Sequence, residues 1–311
     1  MLEIPLFIVD GFLDSGKSTF ILDAIEKDGF SKKGRTLVIL CEQGEVEITK
    51  EFANKNNSSL VIVEDQEELT VEFLNELANK YVPDRVILEL NCLWDVNELY
   101  FPDCYRLAQV LTFIDANTFE VYYNNMRQKF KEMIEFSDLV VFNRCEDFSK
   151  ILPYQTGLKL MNGNAQFMIM DQDGITKKAF EEPLPYDLTQ EVIEIENDDF
   201  GVWYIDTFEN PERYRGKTVS FIGYVTFSKK LPKGTFVVGR HAMNCCADDI
   251  QYYGHLCINN DAFKVKNKSW IKITARIEFE YSEEYQEEEA VLYPISIKAV
   301  TPLKNPILDL R

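Results

Sequence analysis

Apolar residues in the first half of the chain fall into short unbroken runs, separated by stretches in which they recur every three or four positions. Ile4–Val9, Arg35–Leu40, Leu60–Val63, Arg85–Leu90, Gln109–Ile114, Leu139–Phe142 and Ala165–Met170 are runs of the kind that a parallel sheet buries on both faces. Between them, Ser18–Lys27, Leu69–Lys80 and Phe119–Glu135 carry apolar residues at helical spacing. Strands alternating with helices predict a doubly wound, mostly parallel α/β sheet, in which ligands collect beyond the carboxyl ends of the strands. Glu181–Asp199, rich in proline and acid, reads as a linker. Beyond it the period changes to alternation. Val202–Asp206, Thr218–Phe227, Thr235–Gly239, Ser269–Glu280 and Val291–Val300 predict an all-β set on the scale of a small OB-like barrel. The expected division is therefore residues 1–180, a linker at 181–199 and a barrel at 200–311.

A length of 311 residues suits two domains, each able to bury a core. The net charge of -19 and the lack of any basic run argue against binding a nucleic acid backbone. No apolar run approaches the roughly 18 residues of a membrane span, and no secretory leader pattern opens the chain, so a cytoplasmic protein is expected. Seven cysteines without framework spacing fit a reducing compartment.

Candidate chemistry begins at Gly11-Phe12-Leu13-Asp14-Ser15-Gly16-Lys17-Ser18-Thr19, which fits the G-x-x-x-x-G-K-[ST] phosphate-binding loop between a strand and a helix. Glycine lets such a loop turn its N–H groups around a polyphosphate, the helix aims its positive dipole end at the same anion, and Lys17 adds a point charge. Gly11, Asp14, Ser15, Gly16, Lys17, Ser18 and Thr19 are thus candidate nucleotide contacts, with the Ser18 hydroxyl offered to Mg²⁺. Glu42 and Glu89, just beyond or at strand ends, are candidates to hold Mg²⁺ or orient an attacking water, with Lys17 neutralising charge.

A second cluster lies in the barrel half. Both histidines and three of the seven cysteines fall within His241–Cys257, and thiolates with imidazoles suit Zn²⁺ or a similar soft ion. His241, Cys245, Cys246, His255, Cys257 and Asp248 are the candidate ligands; a redox-active Cys245–Cys246 pair and a plain barrel loop are the competing readings.

Several segments occur in the order seen in the CobW branch of the CobW/HypB/UreG P-loop GTPases. They are the phosphate loop, Cys41-Glu42-Gln43-Gly44-Glu45-Val46, Glu89-x-x-Cys92, Ile114-Asp115-Ala116, Asn143-Arg144-x-Glu146 and Asn162-Gly163-Asn164-Ala165. Residues of about 3–172 resemble that family. The resemblance implies a GTPase that inserts or delivers transition metals, with Asn143, Arg144 and Glu146 as base-recognition residues. Glu146 stands where the family has aspartate, and its longer reach loosens selection of GTP over ATP. The family's Cys-x-Cys-Cys motif is missing; Cys41 and Cys92, at the ends of two strands, are a candidate substitute thiolate site, weighed against two small buried hydrophobes. From about residue 200 onward, Tyr214-x-Gly216-Lys217-x-Val219, Arg240, Cys245-Cys246-Ala247-Asp248 and Trp270 resemble the soluble C-terminal domain of a bacterial two-component permease subunit. Together the resemblances imply Mg²⁺ with GTP, slow intrinsic turnover, and control of a transition metal for a permease or other client protein. A homodimer, a regulatory adaptor with negligible turnover and a vicinal-thiol redox sensor stay open.

Overall fold

The computed structural model describes residues 3–26, 34–174, 176–180, 184–228, 231–232, 234–243, 250–260, 263–282 and 286–309. The chain forms two compact units, one of Met1–Leu152 with Asn164–Glu181, the other of Pro153–Gly163 with Glu182–Arg311.

The first unit runs β1 (Ile4–Asp10), α1 (Lys17–Glu26), β2 (Thr36–Leu40), α2 (Lys50–Lys55), β3 (Ser58–Ile62), α3 (Val71–Tyr81), β4 (Arg85–Glu89), β5 (Tyr105–Asp115), α4 (Phe119–Asn125), α5 (Arg127–Glu135) and β6 (Leu139–Asn143). After α6 (Gln155–Met161), which clusters with the second unit, come β7 (Gln166–Met170) and β8 (Thr176–Lys178). The strands order β3-β2-β4-β1-β5-β6-β7-β8, all pairs parallel except β7–β8. Every residue of β2 is buried, as a strand covered on both faces requires. Thr49 and Thr70 cap α2 and α3, each accepting from the N–H three residues on at 3.1 Å.

Register matters most for the site. Val9 and Leu40 both pair with Glu89, Asp10 with Thr112, and Asp115 with Asn143. The carboxyl ends of β2, β4 and β1 therefore finish level, β5 and β6 run three residues further and end level with each other, and the loops that all five launch share one edge. The expected single helix over Phe119–Glu135 is instead α4 and α5, broken at Met126 (φ -128°, ψ 39°). The Asn125 amide donates to Val121 O at 2.7 Å, a side-chain bond that competes with helix continuation.

The second unit holds α6, β9 (Val192–Glu194), α7 (Phe200–Glu209), β10 (Thr218–Thr226), β11 (Thr235–Met243), β12 (Ile250–Ile258), β13 (Trp270–Ser282), β14 (Glu287–Ala299) and β15 (Ile307–Asp309). Strands β10-β11-β12-β14-β13 pair in that order, and β10 pairs with both β11 and β13, closing a five-stranded barrel of OB-like topology. β9 and β15 extend it in parallel from β10 and β11.

Two expectations are corrected here. Val202–Asp206, expected as a strand, lies inside α7, whose Phe200, Trp203 and Thr207 are buried; these positions repeat at three and four, and a five-residue window reads equally well as alternation. Glu181–Asp199 does not behave as a free linker among its described residues: Ile193 and Ile195 are buried in the barrel core, which Tyr186 and Leu188 also pack against. No helix among the described residues is long and apolar enough to cross a membrane.

Candidate functional site

The sharp turn out of β1 depends on two glycines in the left-handed region. Gly11 has φ 139° and Gly16 φ 109°. A Cβ on Gly11 would lie 2.2 Å from Phe113 O, and one on Gly16 would lie 2.1 Å from Asn143 Nδ2. The loop thus closes against β5 and β6 with no room for a side chain, then feeds α1 so that the free N–H groups of the helix's first turn face the strand ends.

Lys17 is buried and heavily engaged. Its Nζ donates to Gly11 O at 2.6 Å, to Phe12 O at 3.1 Å and to Glu42 Oε2 at 2.6 Å. One residue on, Ser18 Oγ donates to Glu89, 3.0 and 3.1 Å from its two carboxylate oxygens. A serine hydroxyl beside two carboxylates is a hard-oxygen set that fits Mg²⁺. Leu13, Asp14, Thr19, Glu45 and Arg144 join these residues around an open cleft. Asp14, at φ 58°, accepts from Glu45 N at 2.9 Å and so ties the phosphate loop to the segment after β2.

Burial raises the Glu89 carboxyl to about 7, against which Lys17 and the Ser18 hydrogen bond act. Asp10, buried at the end of β1 and accepting from Gly11 N at 2.7 Å, is also raised by burial. The buried Glu89 keeps its proton up to about pH 7, whereas an unfolded chain releases it near 4.5. Its protonation therefore favours the native state fully below 4.5, and that contribution is lost as pH rises through 7. Denaturant titrations from about pH 5 to about pH 8 should show a larger stability loss in the wild type than in Glu89→Gln. Parallel pH profiles would contradict this assignment.

On the far side of the loop, Asn143 Nδ2 donates to Ser15 O at 2.9 Å, so this predicted nucleotide residue holds the phosphate loop in place. Ser15 Oγ is buried without a partner. Arg144, at φ 54°, pairs with Asp115 at 2.5 Å and donates to Asp14 O at 2.8 Å, joining the base-recognition segment to the loop. Glu146 accepts from Gln172 Nε2. Asp10 and Gln172 are residues beside the site that the sequence does not announce. Asp115 belongs to the Ile114-Asp115-Ala116 segment of the family resemblance, but its pairing with Arg144 is visible only in the fold, and nothing local to Gln172 signals its bond to Glu146.

The two soft-metal readings fare differently. Cys41 and Cys92 are both buried, and burial pushes their thiols up to about 12 and about 11, which disfavours the thiolates a metal needs. Cys41 belongs to an apolar cluster of the sheet together with Ile39, Leu88 and Leu90. In the barrel, β11 pairs with β12 so that His241 lies opposite Tyr252 and His255 opposite Val238. Positions 238 and 241 differ by three, so the two histidines stand on opposite faces of this ribbon. His255 and Cys257 face the barrel interior, whereas His241 packs against Tyr224 and Tyr252. A single ion held by both histidines is therefore excluded by the strand period. Cys245, Cys246 and Asp248 lie outside the described residues, and among the described residues no group of three or more His, Cys, Asp or Glu could hold a metal.

A family model described as CobW/HypB/UreG, nucleotide-binding domain, matches residues 5–168, and one described as DUF1980 C-terminal domain matches residues 169–307. Among solved structures, the chain is similar to Zn(II)-bound YjiA GTPase from E. coli, at 13% identity and TM-score 0.39, covering 82% of this chain and 89% of that one. It is also similar to hydrogenase maturation factor HypB from Archaeoglobus fulgidus, at 16% identity and TM-score 0.39, covering 55% and 82%. HypB from Helicobacter pylori in complex with nickel is similar at 11% identity and TM-score 0.35, covering 55% and 80%. No curated protein matches the chain.

Proposed function

Because the chain belongs to the CobW/HypB/UreG family of P-loop nucleotide-binding proteins, we propose that it binds and hydrolyses GTP and uses that cycle to control a soft transition metal, zinc or one like it, for a permease or other client protein. The observation that carries the nucleotide reading is the convergence of Lys17, Ser18, Glu42 and Glu89 beside the first turn of α1. The Lys17 ammonium neutralises charge on the terminal phosphates, and the loop and helix N–H groups orient them. Ser18 and Glu89 would hold Mg²⁺, which would supply further charge neutralisation. A phosphate reaching Lys17 competes with Glu42 for the same ammonium, and a released Glu42 can accept a hydrogen bond from the attacking water. Turnover is slow, on the order of 10⁻³ s⁻¹, because Arg144, the guanidinium lining the cleft among the described residues, is paired to Asp115.

The metal reading is supported by the family and by the chemistry of the Cys245–Cys246 pair. Its permease client is supported by the resemblance of the barrel half. Phosphate release and metal content should be measured in one preparation of the full chain. The expected result is GTP hydrolysis exceeding ATP hydrolysis, with bound zinc lost in a variant carrying Cys245→Ser and Cys246→Ser. Equal hydrolysis of the two nucleotides, or full zinc retention in the variant, would overturn the corresponding half of the proposal.

A further inference from the structure

The loops that leave β6 and β7 run side by side beyond the sheet. The two strands pair as far as Phe142 with Ile169, and Cys145 N then donates to Met170 O at 3.0 Å. This bond carries the pairing past the strand ends, where the Gln172 amide donates to Glu146 Oε1. Gln172 is held in place by its own turn: Asp171 Oδ1 accepts from Asp173 N at 3.0 Å, and Asp171 O accepts from Gly174 N at 3.1 Å. Both side chains of the Glu146–Gln172 pair are exposed, so the bond does not serve the core. Arg144, two residues before Glu146, lines the nucleotide cleft and donates to Asp14 O at 2.8 Å, which puts this loop at the margin of the cleft.

An ionised carboxylate only accepts, so the amide must turn its nitrogen toward Glu146 and not its oxygen. One N–H of Gln172 is spent on Oε1; the other has no acceptor, and Glu146 Oε2 has no donor, among the described residues. The pair therefore presents a donor followed by two acceptors. The pairing edge of guanine carries the complementary order: the O6 acceptor, the N1–H donor and the 2-amino donor. Adenine sets its 6-amino donor against the amide N–H and its N1 lone pair against the carboxylate. Neither contact is favourable.

We infer, resting on the GTP site proposed above, that Gln172 is a base-specificity residue: its second N–H donates to O6 of guanine while Glu146 accepts from N1–H and the 2-amino group. A carboxylate cannot make the O6 contact, because it has no hydrogen to give. Gln172, 26 positions along the chain, supplies what Glu146 lacks.

The test is the affinity of the full chain, with Mg²⁺ present, for GTP, inosine triphosphate and ATP. Inosine keeps O6 and N1–H but has no 2-amino group. The wild type should bind GTP roughly tenfold tighter than the inosine nucleotide, and ATP most weakly. Gln172→Ala removes the O6 contact alone, so the GTP and inosine affinities should fall by the same factor, about five- to tenfold, with ATP unchanged. Gln172→Glu exchanges the donor for an acceptor, so it should weaken GTP more than alanine does and lower the GTP-to-ATP ratio further. A Gln172 that merely positioned Glu146 would instead loosen the grip on the 2-amino group and lower the GTP-to-inosine ratio. That result would overturn the assignment while leaving GTP binding in place, as would unchanged GTP affinity in Gln172→Ala or an equal loss for ATP. Failure of the wild type to bind any of the three would overturn it together with the GTP reading.

Discussion

Replacing Lys17 by alanine should lower nucleotide hydrolysis by ~10²–10³-fold, the scale seen when one preorganised charge-stabilising donor is removed. Lys17 is buried, and its ammonium ties Gly11 O and Phe12 O to Glu42 Oε2. Among the described residues no other cation in the cleft is placed to do this, since Arg144 is committed to Asp115 and Asp14. Glu42 lines the open cleft, where water can replace its lost partner, so native stability should change little compared with turnover. Phosphate release measured at saturating GTP with Mg²⁺ checks the expectation. Turnover within about threefold of wild type would mean that the loop is not the catalytic element.

The second large effect is structural. Gly239 on β11 faces Gly254 on β12, and a Cβ on Gly239 would lie 1.9 Å from Tyr253 O and 2.4 Å from Gly254 Cα. These are backbone atoms of a paired strand, so nothing can rotate away. Gly239→Ala should cost about 3 kcal/mol or more through overpacking of the barrel wall. Amide exchange in Thr235–Met243 and Ile250–Ile258 should rise roughly 100-fold. Gly254→Ala, whose Cβ would meet Val238 O at 2.8 Å, should cost less. Unchanged protection in the Gly239 variant would mean that the two strands are not paired in this register.

How much of this is legible in the sequence depends on how local each signal is. Gly11 to Ser18 can be read directly because the loop's geometry is specified by consecutive residues. Glu42 and Glu89 can be read because apolar runs end just before or at them, and a parallel sheet aligns such ends. Asn143 holding Ser15 and Gln172 holding Glu146 cannot, since both bonds depend on loops brought together only by folding. The histidines show the opposite failure. Their closeness in sequence suggests one cluster, but strand register sends His241 outward and His255 inward. β12 escapes a sequence reading because Gly254 and His255 interrupt its apolar pattern, and His255 is buried by rings from α7 that no local period reveals.

The turn after β1, with Lys17 and the start of α1, is proposed to receive a magnesium-bound guanine nucleotide. Equilibrium titration of the full chain with GTP and with ATP, both with Mg²⁺, reads this out. Saturable binding that is tighter for GTP and lost in Lys17→Ala is the predicted result. No binding of either nucleotide at millimolar concentration would contradict it.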